Sequence, residues 1–255
     1  MCLIAVAFRA HPDYELVMAA NRDEFHDRAA APASFWDDAP EVFGGRDLRQ
    51  GGSWLAMSSD GRLAAVTNVR RMVAPDPKAP SRGGLVADFV RGHDGARAFG
   101  GFLKMDAERY SGFNLLIYDG ERLKFLTNHP EFVQRPVNDG VHVVSNATLD
   151  TPWPKAVRLR RAMEAWLDGK ATKTDPLFAA LADRVLAPDA ELPNTGIGQQ
   201  IERMLSPPFI VSPGYGTRCS TVVTIKKSGA INFIERRFDR KGDQAGETRQ
   251  MLRSS

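Results

Sequence analysis

The chain repeats one local design four times, two short apolar runs joined by a turn. Leu3 to Phe8 and Leu16 to Ala20 flank His11-Pro12-Asp13, and Trp54 to Met57 and Leu63 to Thr67 flank Asp60-Gly61. Phe113 to Tyr118 and Leu123 to Thr127 flank Asp119-Gly120, while Thr221 to Ile225 and Ile231 to Ile234 flank Ser228-Gly229. Such turns between β-compatible runs are hairpin signals, because glycine accepts the positive φ that tight turns require. Val141 to Val144 adds a strand, and helical periodicity fills the intervals: Ser81 to Val90, Ala96 to Leu103, Pro154 to Leu167, Pro176 to Leu186 and Gly198 to Leu205. Runs such as Leu3-Ile4-Ala5-Val6-Ala7 and Leu115-Leu116-Ile117 are apolar at successive positions, so both faces of a sheet need cover. The expected class is therefore α+β: a four-layer αββα sandwich of two mainly antiparallel sheets flanked by helices, as one domain over residues 1–255. Residues 26–53 and 72–84 are rich in Pro and Gly and read as long loops rimming a cleft.

Composition narrows the function classes. Basic residues (34) nearly balance acidic ones (31), and no Lys/Arg block stands out, so nucleic acid is not an expected partner. The two cysteines, Cys2 and Cys219, leave no CxxC metal spacing and point to a reducing, cytoplasmic setting. The apolar opening is cut off by Arg9, His11 and Asp13 before a signal peptide is complete. No apolar run approaches the roughly 20 residues of a membrane span, so stable membrane insertion is not expected.

Chemistry concentrates at one end of the predicted sheet. If the first hairpin centres near Pro12, residues whose numbers sum to about 24 face each other, which sets Cys2 opposite Arg22 in Asn21-Arg22-Asp23-Glu24. The second hairpin, centred on Asp60-Gly61, sets Ser53 opposite Asn68. Asparagine recurs where apolar runs stop, at Asn21, Asn68, Asn128 and Asn146, and such amides are neutral donors suited to an oxyanion. Removal of Met1, usual before a residue as small as cysteine, leaves a thiol and an α-amine on Cys2. The amine, with an ordinary pKa of about 7.7 to 8.0, can take the proton of a thiol near 8.5. Arg22 beside that thiol is expected to favour the thiolate, with Asp23 or Glu24 orienting the amine.

Ten short motifs in order, among them Met1-Cys2-Leu3-Ile4, Asn21-Arg22-Asp23-Glu24, Gly44-Gly45-Arg46-Asp47, Gly51-Gly52-Ser53-Trp54-Leu55, Thr67-Asn68-Val69-Arg70, Ser145-Asn146, Trp153-Pro154-Lys155 and Tyr215-Gly216-Thr217-Arg218, make the chain resemble the NRDE family over nearly its whole length. A more distant resemblance runs to the choloylglycine hydrolase and penicillin acylase branch of the N-terminal-nucleophile hydrolases. That resemblance implies Cys2 as nucleophile, Arg22 and Asp23 as its support, Asn68 and Asn146 at the oxyanion and Arg218 completing the cluster. Asn21, Glu24, Arg46, Trp54 and Arg70 are the expected ligand-binding residues. Asp23 follows Arg22 directly, a departure from the branch's spacing, which leaves open whether Asp23 or Glu24 faces the cleft.

Two functions follow as expectations. One is hydrolysis of the amide or thioester of a small acyl substrate, with no cofactor or metal required. The other is non-catalytic carriage of haem or a lipid-like or acyl-CoA ligand, since the NRDE resemblance implies haem trafficking and lipid homeostasis. Either partner is a small apolar molecule bearing an anionic group. For haem the sequence offers only scattered histidines, His11, His26, His93, His129 and His142, without a paired-ligand spacing.

Overall fold

The computed structural model describes residues 2–71, 76, 78–169 and 173–253. In chain order the strands and helices are β1 (Cys2–Phe8), β2 (Tyr14–Phe25), β3 (Ala30–Trp36), β4 (Ala39–Asp47), β5 (Leu55–Ser58), β6 (Leu63–Asn68), α1 (Arg82–Arg91), α2 (Ala96–Asp106), β7 (Phe113–Tyr118), β8 (Leu123–Thr127), β9 (Val133–Pro136), β10 (Gly140–Val144), α3 (Pro154–Asp168), α4 (Asp175–Leu181), α5 (Gln199–Met204), β11 (Tyr215–Lys226), β12 (Ala230–Phe238) and β13 (Gln244–Arg253). They form two antiparallel sheets, ordered β10-β1-β2-β11-β12-β13 and β3-β4-β5-β6-β7-β8-β9.

Alternation along the strands builds three apolar layers. Ile4, Val6 and Phe8 of β1, with Leu16 and Met18 of β2, face the second sheet and pack with Leu55, Met57, Leu63, Leu116 and Phe125. The intervening Leu3, Ala5, Val17 and Ala19 turn outward against Ala156, Leu159 and Met163 of α3 and Leu177, Phe178 and Leu181 of α4. On the other outer face, Ala56, Ala64, Leu115 and Ile117 take Leu85, Val86, Phe89 and Val90 of α1. The result is the αββα sandwich, with both faces of each sheet covered as the continuous apolar runs require. No described helix is long and apolar enough to cross a membrane.

Several expectations need correction. Residues 26–53 are not a loop: most of them form the β3–β4 hairpin. Its strands were hidden by Pro32, which sits on an edge strand where the register shifts between Ala31 and Ser34 and no ladder N–H is required of it. Gly44 and Gly45 also read as loop residues, yet Gly44 serves close approach of β5 and Gly45 makes room for the Trp54 ring. The second hairpin pairs Leu55 with Ala65 and Met57 with Leu63, so its residue numbers sum to 120, one less than a centre on Asp60-Gly61 gives. The hairpin closes through a longer turn in which the Ser58 amide bonds the Arg62 carbonyl. Strand β2 runs on through Phe25, which places Asn21 inside a strand. Helix α4 stops at Leu181, short of Leu186, because the Asp183 carboxylate caps the Val185 amide and its carbonyl accepts from Phe209. The edge strands β9 and β13 carry mostly polar residues and gave no apolar signal. Of the loop expected over 72–84, residues 72–75 and 77 lie outside the described residues.

The close approach at Gly44 is open to test. A Cβ there meets the Ala56 Cβ at 2.7 Å and the Leu55 carbonyl oxygen at 2.8 Å, and the latter is backbone. Gly44→Ala is expected to lower stability by about 2 kcal/mol in chemical denaturation, since the strands must separate to admit a methyl group.

Candidate active site

Strand β1 lies between β2 and β10, and its pairing sets Cys2 opposite Arg22 and Leu3 opposite Asn21, as the hairpin count anticipates. Period-two alternation then puts Cys2, Arg22 and Glu24 on the face toward the second sheet, and Asn21 and Asp23 on the face toward the helices. The first set borders a cleft of about 270 Å³, lined among others by Cys2, Arg22, Asp23, Glu24, Asn68, Trp54 and Arg82.

Arg22 is 5% exposed, with its guanidinium carbon 4.3 Å from the centroid of the Trp54 ring and Nη2 3.8 Å from Asp47 Oδ2. Asp47 also accepts from Arg28 Nε at 2.6 Å and from the backbone amides of Arg49 and Gln50. Burial pushes this carboxyl up, but the Arg28 bond and the backbone donors outweigh it and hold it below the usual range. Cys2 behaves otherwise. Burial raises its thiol, the N-terminal ammonium and then Arg22 lower it without prevailing, and Asp23 and Glu24 add to the rise. Arg22 thus acts toward the thiolate as expected, but burial outweighs it, so a base beside the thiol has a role to fill.

Asp23 is buried and accepts from Thr217 Oγ1 at 2.7 Å, while Glu24 accepts from the Phe25 amide and lies 3.9 Å from Arg28. Glu24 thus shares the cleft face with Cys2, and Asp23 reaches the same strand end from the helix side. Asn68, the last residue of β6, borders the cleft, and its carbonyl accepts from Asn146 Nδ2 at 2.9 Å. Asn146 is buried behind it, next to Ser145, whose Oγ donates to the Cys2 carbonyl at 3.1 Å.

Residues 1–240 match the family described as Transport and Golgi organisation 2. This chain belongs to that family. It is 34% identical to the human Transport and Golgi organization protein 2 homolog, over 98% of this chain and 97% of that protein. It is 29% identical to Transport and Golgi organization protein 2 of Drosophila melanogaster, over 92% and 91% of the two chains. Among solved structures, the C2A variant of conjugated bile acid hydrolase from Clostridium perfringens superposes with a TM-score of 0.55, over 99% of this chain and 92% of that one, at 9% identity. The αββα sandwich is thus a fold that this bile acid hydrolase shares.

Within this family member, five of the named residues stand away from the cleft lining: Asn146, buried behind Asn68, and four others. Asn21 is locked into the helix side, donating to the Leu181 and Pro208 carbonyls and accepting from Ser220. Arg46 lies over Trp36 and is bidentate to Asp38. Arg70 is paired with Glu202 and stacked on Trp153. Arg218 donates to the Phe25, His26 and Arg28 carbonyls and holds the segment after β2. Strand parity directs Asn21, carboxylates hold Arg46 and Arg70, and backbone carbonyls hold Arg218. Asn128 is likewise structural, spanning Ala107, Tyr110 and Phe113.

Other residues went unassigned in the sequence. Asn114 Nδ2 donates to Thr67 Oγ1 and the Ala147 carbonyl, and Thr67 Oγ1 donates to the Ser145 carbonyl at 2.5 Å, tying the end of β6 to the segment beside Cys2. Arg82, first residue of α1, borders the cleft, donates to the Gly112 carbonyl at 3.3 Å and forms no ion pair among the described residues. Its position in Ser81-Arg82-Gly83 at a helix start was the available signal.

Asp47→Asn leaves Arg22 and Arg28 side by side without the charge between them. The expected loss is about 2 kcal/mol in denaturant unfolding, below the figure for a fully buried pair because Arg28 is partly exposed. Because the folded carboxyl is held low, the stability it gives is complete above its unfolded value of about 4 and is lost as pH falls through the lower folded value. Unfolding of the Asn variant should show less dependence on pH in that acid range.

Proposed function

We propose that the protein hydrolyses the amide or thioester of a small acyl compound, with Cys2 Sγ as nucleophile. The observation that carries this reading is the meeting of Cys2, Arg22 and Asn68 at one cleft of about 270 Å³. The fold shared with conjugated bile acid hydrolase agrees with it as fold alone. Once Met1 is removed, the α-amine takes the Sγ proton as sulfur attacks the acyl carbonyl, and the carbonyl electrons move to oxygen beside the Asn68 amide. The ammonium then returns the proton to the departing nitrogen or sulfur, leaving a thioester on Cys2. Water attacks that thioester, its proton passes to the amine and then to sulfur, and the acid leaves. Trp54, Val66 and Pro80 offer apolar wall for the acyl chain, while Arg82 suits an anionic group on the substrate. A cytoplasmic setting keeps such a thiol reduced.

A second reading, carriage of a lipid-like or acyl-CoA ligand or of haem, draws support from Arg82, which borders the cleft without an ion pair among the described residues, and from the transport named in the relatives. The described lining contains no histidine to hold haem iron, so within this reading an acyl ligand fits better.

Turnover separates the two. Cys2→Ala should reduce hydrolysis of an acyl thioester by at least about a thousandfold with the melting temperature nearly unchanged, because a side chain at a strand start contributes little packing. Retained turnover in that variant would remove Cys2 from the mechanism, and no turnover in either protein together with saturable acyl-CoA binding would favour the carrier.

A further inference from the structure

Behind the Cys2 end, on the helix side of the sheet, lies a lysine whose placement the fold alone does not explain. Lys155 is 2% exposed, and its Nζ makes no hydrogen bond among the described residues. It stands in the first turn of α3, right after Pro154. The next turn packs Ala156 and Leu159 into the cluster that contains Leu3 and Ala5 of β1. Three physical terms oppose a cation here: it is desolvated, its donors are unmatched, and it sits at the positive end of a helix with no acidic residue in the first turn. A methionine of similar length would fill the space with none of these penalties.

The register supplies the reason. The ladder ends with Cys2 opposite Arg22, and Asp23, the next residue of β2, lies beyond that end, with its side chain by parity on the helix side that holds Lys155. A lone buried carboxylate beside an amine stabilises the ammonium and so removes the base that the reaction needs. We propose that Lys155 is a positioning residue for Cys2: its ammonium balances Asp23, so that Asp23 can orient the Cys2 amine without fixing a proton on it. The inference rests on Cys2 being the nucleophile.

The surrounding charges are consistent with this. Burial lowers Lys155 to about 8, and Asp23 is the leading charge opposing that shift, followed among the carboxylates and thiols by Cys2 and Glu202. Arg70 acts in the same direction as burial. Asp23 is pushed up by burial, with Lys155 the foremost charge against it. Burial also raises the Tyr215 phenol, whose hydroxyl donates to the Asp23 carbonyl, and so keeps it neutral. On the cleft side Arg22 and Glu24 act on Cys2 with opposite signs.

The test is the pH profile of Cys2 alkylation by iodoacetamide, followed by peptide mass spectrometry in the unmodified protein, K155M and K155R. K155M should raise the midpoint by about one pH unit and slow alkylation at pH 7 about tenfold, with a lower melting temperature because Asp23 is left buried without its counter-charge. K155R, which keeps the cation, should retain the original midpoint. An unmoved midpoint in folded K155M, or a midpoint in K155R raised as far as in K155M, overturns the inference. In the unmodified protein the coupled ionisations should broaden the profile beyond that of an isolated thiol, so a single independent ionisation also overturns it, even if K155M does not fold. Failure here with Cys2→Ala still inactive removes Lys155 alone, whereas turnover surviving in Cys2→Ala removes the nucleophile itself.

Discussion

The pairing of β1 between β2 and β10 decides which face of the sheet receives Cys2. That pairing is held by side chains on both faces, with Ile4, Val6 and Phe8 inside the sandwich and Leu3, Ala5 and Ala7 under the helices. A slip of one residue exchanges the two sets and turns Cys2 away from the cleft. The same register brings Arg22 over Trp54, and Trp54 can lie there because residue 45 is glycine: a Cβ at that position falls 2.2 Å from the ring. A packing constraint between strands thus fixes the electrostatics of the site.

Those electrostatics are balanced. Arg22, Arg28 and Arg82 line the cleft together with Asp23, Glu24, Asp47 and Asp76. Most of this charge is spent internally, with Asp47 holding Arg28 and Arg22. The balance has a chemical consequence for the nucleophile. Since burial outweighs Arg22 at the Cys2 thiol, the proposed mechanism draws its activation from proton transfer during the reaction, with the terminal amine as the acceptor.

What was legible in the sequence followed from local rules. The four hairpins, the covered sheets and the Cys2–Arg22 register rest on turn chemistry and period-two alternation, which act within a dozen residues. The β3–β4 hairpin escaped because Pro32 and the Gly44-Gly45 pair carry loop signals, and their fit on an edge strand or against Trp54 appears only when the strands are assembled. The site was legible where strand parity could be counted, as for Arg22 and Glu24, and misread where motif membership stood in for direction, as for Asn21 and Arg46. Lys155 stood in a motif without a role, and Asn114 had no role either, because their meaning lies in what the assembled chain sets beside them, Asp23 in one case and the Ser145 segment in the other.

The central claim is that Cys2 carries the acyl group during turnover. Its most direct test is acid quenching of protein purified from cells, a short time after mixing with an acyl thioester, followed by mass spectrometry of the N-terminal peptide. The account predicts a peptide beginning at Cys2 and heavier by one acyl group. A peptide that still begins with Met1, or an acyl group found only on Cys219 or nowhere, would contradict it.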